Sequence, residues 1–235
     1  MEQIRTGVII VAGGSGRRMG ASLPKQFLFL EGQPLLAHTI NRLHEAFPTA
    51  PIVVVLPADQ IDYWRNLSAR FEVARHTLTA GGKERFDSVR AGLEALLNLG
   101  EGVELVAIHD GVRPLVSVEM IHRGLECAAR QGSAIPVTPA IDSCRRLTEQ
   151  GSEIIDRTPL RFVQTPQIVA VDPLRHAYRQ PYRPAFTDDA SVVEQAGYPI
   201  HLYEGERWNL KITTREDLAL AEALLTRQND EREDL

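Results

Sequence analysis

Cysteine is scarce in this chain, aromatic residues are few, and no apolar run approaches the length of a membrane span. The two cysteines, Cys127 and Cys144, are far apart, form no C-x-x-C, and give no zinc spacing with any histidine. That argues against a disulfide framework, and buried or idle thiols in a reducing cytosol are expected instead. The opening MEQIRTG has no signal-peptide core, so a cytoplasmic location without a membrane anchor is expected. A formal net charge of -5 leaves no basic excess for a general nucleic-acid or anionic-membrane surface. Cations that matter must therefore be concentrated locally. At 235 residues the chain suits a single α/β domain, 1–235, able to bury a substantial core.

Three familiar phosphate or nucleophile motifs are missing as well. A dinucleotide fingerprint starting at Gly14-Ser15-Gly16 needs glycine where Met19 stands. No Gly-Lys-Ser/Thr occurs, which removes a Walker A loop, and a nucleophile elbow through Ser15 fails at Arg17. What is present is a buried strand, Val8-Ile9-Ile10-Val11, breaking into Ala12-Gly13-Gly14-Ser15-Gly16. Arg17 and Arg18 follow at once, then Pro24-Lys25-Gln26. Backbone N–H groups with no side chain in the way, flanked by cations, suit an oligophosphate.

The rest of the chain alternates strand and helix, the rhythm of a doubly wound, mostly parallel Rossmann-like sheet. Pro34 opens a helix with Leu35, Leu36, Thr39, Ile40, Leu43 and Phe47 on one face. A strand at 51–57 and a helix at 58–71 follow, then Leu78-Thr79-Ala80 running into Gly81-Gly82. A helix through Phe86, Val89, Leu93, Leu96 and Leu97 leads to the strand 104–109, which ends in Asp110-Gly111-Val112-Arg113-Pro114. Loops 13–25, 81–88 and 109–114 thus lie at carboxyl ends of strands, where open α/β sheets bind ligands. A helix at 117–131 and a strand at 133–137 come next. Two polar segments, 143–148 and 153–157, then flank 149–152 and read as a β-hairpin arm, about 139–160, projecting from the sheet. Asp172-Pro173 reads as N-cap and first residue of a helix. Thr187-Asp188-Asp189 caps a helix ending at Gly197, a strand occupies 199–204, and a last helix runs from 214 to about 227, leaving a frayed tail.

AGGSGRRMG…LPKQF resembles the signature loop of sugar-nucleotide pyrophosphorylases and cytidylyltransferases. Within that group it is most similar to the 2-C-methyl-D-erythritol 4-phosphate cytidylyltransferase family of the non-mevalonate isoprenoid pathway. The similarity resumes, in order, at Gly81–Val89, His109–Pro114, Gln164-Thr165-Pro166-Gln167, Thr187–Ser191 and Asn209–Thr213. The resemblance implies attack by a sugar-alcohol phosphate on the α-phosphorus of CTP, with pyrophosphate leaving and no covalent enzyme intermediate. It implies Arg18, Lys25 and Lys211 as catalytic cations. Ala12, Gly13, Gly14, Gly16, Gly82, Ser88 and Asp110 are implied at the nucleotide, with Arg113, Ser143, Arg157 and Lys211 at the acceptor. The arm is implied to interlock two subunits of a homodimer, Ser143 and Arg157 reaching across to the partner's acceptor. Magnesium is the expected divalent cation, held by Asp110 or otherwise through substrate phosphates.

Three features depart from the family pattern: Lys83 stands where an acidic residue is common, Ser143 where threonine is usual, and Thr138-Pro139-Ala140-Ile141 is a little longer than the usual stretch. Arg17 reads equally as a solvent-facing cation, His38 and His109 as helix-surface and strand-end residues, and Asp188-Asp189 as a cap rather than a metal pair. Ribitol-5-phosphate cytidylyltransferase and a non-catalytic nucleotide-binding module are the alternative functions. Ile155-Asp156-Arg157 and Thr187–Ser191 favour the first family over the ribitol enzyme.

Overall fold

The computed structural model describes residues 4–14, 23–100 and 102–233. Its centre is an eight-stranded sheet formed by β1 (Thr6–Val11), β4 (Ile52–Leu56), β5 (Thr77–Ala80), β6 (Leu105–Asp110), β7 (Ser133–Pro139), β10 (Arg161–Val163), β11 (Gln167–Ala170) and β12 (Leu202–Glu204). The order is β10-β7-β11-β6-β1-β4-β5, with β12 on β7. Strand β1 pairs in parallel with both β4 and β6, and β4 with β5. Between β6 and β7 lies β11, antiparallel to both, an insertion the sequence rhythm did not reveal.

Alternate strand residues face opposite layers, as the two-residue period of a strand requires. Val8, Ile10, Val54 and Ala107 pack toward α1 (Leu35–Ala46), α2 (Ile61–Ser68) and α4 (Val118–Gln131). Ile9, Val53, Val55, Val106 and Ile108 pack toward α3 (Arg85–Leu97), α5 (Val171–Ala177) and α6 (Asp189–Gln195). Both faces are covered, so the central strands read as unbroken apolar runs. A third, smaller core joins Leu35 and Leu115 to Ile212, Ala221 and Leu225, seating α7 (Arg215–Glu233) against the small hairpin β2 (Phe29–Leu30) and β3 (Gln33–Pro34).

Several boundaries differ from the sequence reading. Pro34 is the N-cap of α1 rather than its first residue. Helix α2 begins only at Ile61, after a 3-10 turn at Ala58–Gln60. Helix α5 starts directly off β11, with Ala170 as N-cap, because the Val171 N–H already donates to the Glu104 carbonyl. Asp172 and Pro173 therefore fall inside the first turn, where proline's missing N–H removes no helix bond. Asp188 caps α6 as expected, accepting from the Ser191 N–H at 2.9 Å. Helix α7 continues to Glu233, through the segment read as a frayed tail; its arginine, glutamine and glutamate residues are good helix formers.

The arm is a separate two-stranded ribbon, β8 (Cys144–Thr148) and β9 (Gly151–Ile155), with Glu149-Gln150 as its two-residue turn. Gly151 has a φ of 134°, which only glycine adopts without strain. The pairing places Arg145, Leu147, Ser152 and Ile154 on one face. Leu147 is 85% exposed and Ile154 76% exposed, so this face is left uncovered within one chain.

Candidate active site

Three loops are stitched to one edge of the sheet by backbone hydrogen bonds. The Ala12 N–H donates to the Val55 carbonyl at 2.9 Å, Gly81 to Leu56 at 2.8 Å, and Gly111 to Val11 at 2.9 Å. Gly111 is held so close that an added Cβ would lie 2.8 Å from the Ala12 Cβ, which joins the first and third loops. Gly82 is equally constrained: a Cβ there would stand 2.3 Å from that of Asp87, in the first turn of α3. Ser88 lies buried beneath this loop, its hydroxyl donating to the Glu84 carbonyl at 3.2 Å. Lys83 is exposed.

Lys25 begins the 3-10 turn Lys25–Phe27, anchored by the buried Phe27 ring stacked 5.8 Å from that of Trp64. Its side chain runs back over Gly14, where a Cβ would meet Cε at 2.9 Å and Nζ at 3.3 Å. The structure thus brings Lys25 onto the glycine-rich turn. Gly16, Arg17 and Arg18 lie outside the described residues.

At the end of β6, Asp110 is buried among three cations. Its Oδ2 lies 2.9 Å from Lys211 Nζ and 3.3 Å from Arg113 Nε, and its Oδ1 is 3.7 Å from Arg85 Nε. Burial alone would raise the Asp110 pKa, but Arg85, Lys211 and Arg113 outweigh it and hold the carboxyl well below the usual range. Arg113 also donates from Nη1 to the Asn209 carbonyl at 2.8 Å. Lys211 is placed by its neighbour: the buried Ile212 donates its N–H to the Val112 carbonyl at 2.9 Å. A reciprocal cap between Thr214 and Asp217 then turns the chain into α7. With 43% of its side chain exposed, Lys211 is the most open cation of the cluster.

The sequence reading passed over Arg85 and treated Asp189 as a cap alone. Arg85 binds Asp189 in bidentate fashion, Nη1 to Oδ1 at 2.8 Å and Nη2 to Oδ2 at 2.7 Å. The Tyr178 hydroxyl donates to the same carboxylate at 2.5 Å. Burial would lower the Arg85 pKa, yet Asp189 and Asp110 raise it, so its charge is fixed. Arg85 already stood in the Gly81–Val89 motif; an arginine opening the helix three positions after a strand-end glycine pair was the available signal.

His109 is wholly buried, and its contacts assign it a structural part. The Asp110 N–H donates to Thr165 Oγ1 at 3.1 Å, leaving the Thr165 proton for His109 Nδ1 at 3.0 Å. Nε2–H donates to the Arg113 carbonyl at 3.1 Å, since a carbonyl only accepts. Burial lowers its pKa to about 4. His38 is half-buried on α1 with Nε2 2.7 Å from the Leu30 carbonyl.

Asp110 does not suit a magnesium ion in this arrangement. Both of its oxygens face cations, Arg85 on Oδ1 and Lys211 with Arg113 on Oδ2. Ser143 and Arg157 flank the Cys144–Ile155 pair at the root of the arm, and both are exposed. None of their described contacts joins them to Asp110 within the chain. A cavity of about 680 Å³ beside Arg5 and Glu104 lies at the amino ends of β1 and β6, away from this cluster.

Glycine-rich strand-end loops, a lysine laid across one of them, and a carboxylate surrounded by cations define an α/β enzyme that handles phosphorylated nucleotides. A profile of the IspD family, 2-C-methyl-D-erythritol 4-phosphate cytidylyltransferase, matches residues 6–227. The chain is 46% identical over 223 residues to the 2-C-methyl-D-erythritol 4-phosphate cytidylyltransferase of Bacteroides thetaiotaomicron, covering 94% of this chain and 100% of the relative. It is 48% identical over 219 residues to the enzyme of that name from Bacteroides fragilis, covering 92% and 98%. The crystal structure of the Thermus thermophilus enzyme of the same name superposes with a TM-score of 0.75 at 33% identity, covering 94% of this chain and 98% of that one. The chain belongs to the 2-C-methyl-D-erythritol 4-phosphate cytidylyltransferase family. No helix among the described residues is long and apolar enough to cross a membrane.

Proposed function

We propose that this chain joins CTP to 2-C-methyl-D-erythritol 4-phosphate, giving 4-diphosphocytidyl-2-C-methyl-D-erythritol and pyrophosphate. A phosphate oxygen of the acceptor attacks the α-phosphorus of CTP, the bond from that phosphorus to the bridging oxygen breaks, and pyrophosphate leaves with the electron pair. Such a transfer calls for positioning and charge stabilisation rather than a nucleophilic side chain. The observation that carries the reading is the cation excess around Asp110, at the edge where the Gly13–Gly14 and Gly81–Gly82 loops also end.

In this reading the backbone of Ala12, Gly13, Gly14 and Gly16 receives the triphosphate, and Lys25 and Arg18 meet the charge that develops on it. Gly82 and Ser88 receive the cytosine, with Lys83 contributing through its backbone because its side chain is exposed. Asp110 keeps Lys211 and Arg113 in place until the anionic substrates arrive. Lys211 then contacts phosphate, and Arg113 retains an Nη2 with no hydrogen bond among the described residues. Magnesium, which Asp110 does not suit, enters as part of the substrate on the phosphates of CTP.

We further propose a homodimer joined through the arm, about 139–160. The support is the uncovered Leu147–Ile154 face and the position of Ser143 and Arg157, exposed and apart from their own Asp110 cluster. Arg157 suits a phosphate because its planar fork binds two oxygens at once. Both reactants are water-soluble phosphates, and with them we place the chain in the cytoplasm. Release of pyrophosphate from CTP, dependent on the acceptor, tests the activity; binding of CTP without that release would make the chain a nucleotide-binding module.

A further inference from the structure

We infer that Arg85 is a positioning residue of the transfer reaction: clamped by Asp189, it turns its Nε toward Asp110 and so sets the carboxylate that holds Lys211 and Arg113. The inference rests on the reading of Asp110 and Lys211 given above. Both terminal nitrogens of Arg85 are committed to Asp189, at 2.8 and 2.7 Å, which fixes the plane of the guanidinium. The edge left over is Nε, and it lies 3.7 Å from Asp110 Oδ1. Lys211 and Arg113 share the other oxygen, Oδ2. Arg85 thus draws one oxygen away from the pair and keeps the carboxylate from turning between the two cations.

Asp189 is held firmly enough to act as an anchor. It has no exposed surface, is the first residue of α6, and accepts the Tyr178 hydroxyl. Gln167 fixes the same helix start: its Oε1 accepts from the Ala190 N–H at 2.8 Å, and its Nε2 donates to Asp188 Oδ2 at 3.0 Å. A line of contacts therefore runs from Tyr178 through Asp189 and Arg85 to Asp110. A lysine at 85 would keep the charge but could not fork onto Asp189 and hold a third nitrogen, Nε, 3.7 Å from Asp110 Oδ1.

The test compares Arg85→Lys, Arg85→Ala and Tyr178→Phe with the wild type, using CTP and 2-C-methyl-D-erythritol 4-phosphate below the melting temperature of every variant. Arg85→Lys is expected to lower kcat by about 10²-fold, the cost of a misplaced group, while the KM for CTP stays within about threefold. Millimolar guanidinium is expected to restore part of the kcat of Arg85→Ala, an effect a purely structural ion pair would not show. If Arg85→Ala does not fold, Tyr178→Phe replaces it; all charges remain, and a fall in kcat smaller than that of Arg85→Lys is expected. A kcat within about twofold of wild type in Arg85→Lys overturns the inference, as does a loss in Arg85→Ala that guanidinium leaves untouched. A wild type that releases no pyrophosphate defeats instead the reading beneath it.

Discussion

The side chain of Lys25 lies directly over Gly14, with Nζ 3.3 Å from where a Cβ of that residue would stand. The glycine at 14 is therefore tied to the position of the lysine as well as to an open backbone. Lys25→Ala is expected to lower kcat by about 10²–10³, the loss of one preorganised charge in a transfer site, with the fold intact by circular dichroism. Gly14→Ala should show part of the same defect, because its methyl group would push the ammonium aside. Near-wild-type turnover in Lys25→Ala would remove this residue from the catalytic set.

His109 gives the chain an acid-sensitive core. Its pKa in the folded state is lowered to about 4 by burial, from an ordinary value near 6.5. Between those values the unfolded chain binds a proton that the folded chain refuses, so stability falls as the pH is lowered from about 6.5 toward 4. From pH 7 to pH 5 this one ring should cost about 2 kcal/mol. Urea unfolding of wild type and His109→Gln at both pH values measures it: the wild type should lose more stability on acidification than the variant. Parallel losses would show that His109 does not carry the effect.

The arm makes its own prediction. Its exposed face carries Leu147 and Ile154 beside the Arg145–Ser152 hydrogen bond, and exposed apolar side chains grouped in this way mark an interaction surface. Sedimentation should find a dimer at micromolar concentration, and Leu147→Asp with Ile154→Asp should shift it toward monomer and lower activity. A fully active wild-type monomer would contradict the proposed assembly.

The proposed acceptor role of Arg157 predicts a loss confined to one substrate. Losing a charge-assisted phosphate contact costs about 1.5–3 kcal/mol, so Arg157→Ala should raise the acceptor KM by roughly 10–150-fold. The KM for CTP should hardly change, since the nucleotide loops lie elsewhere. Steady-state kinetics with each substrate varied in turn would show whether the losses divide this way.

The fold was legible where burial is symmetric. Val8–Val11, Ile52–Leu56 and Leu105–Ile108 are apolar because both sheet faces are covered, and that pattern survives in sequence. The antiparallel β11 was not legible, because nothing local distinguishes a strand returning between two others. Asp172-Pro173 misled because the same pair serves a cap or a first turn, and only the Val171–Glu104 hydrogen bond decides between them. At the site, Asp110, Lys211 and Lys25 could be picked out from motifs. The Arg85–Asp189 clamp joins residues 104 positions apart, each with an adequate local explanation as a helix-start residue. Pairings through space of that kind leave no periodic trace. The arm was visible as a break in rhythm, although its strands proved to be Cys144–Thr148 and Gly151–Ile155.

The central claim is the pairing of CTP with one particular sugar-alcohol phosphate. The direct measurement is kcat/KM, by pyrophosphate release, for 2-C-methyl-D-erythritol 4-phosphate and ribitol 5-phosphate side by side at saturating CTP. The account predicts clear preference for 2-C-methyl-D-erythritol 4-phosphate, and preference for ribitol 5-phosphate would contradict it.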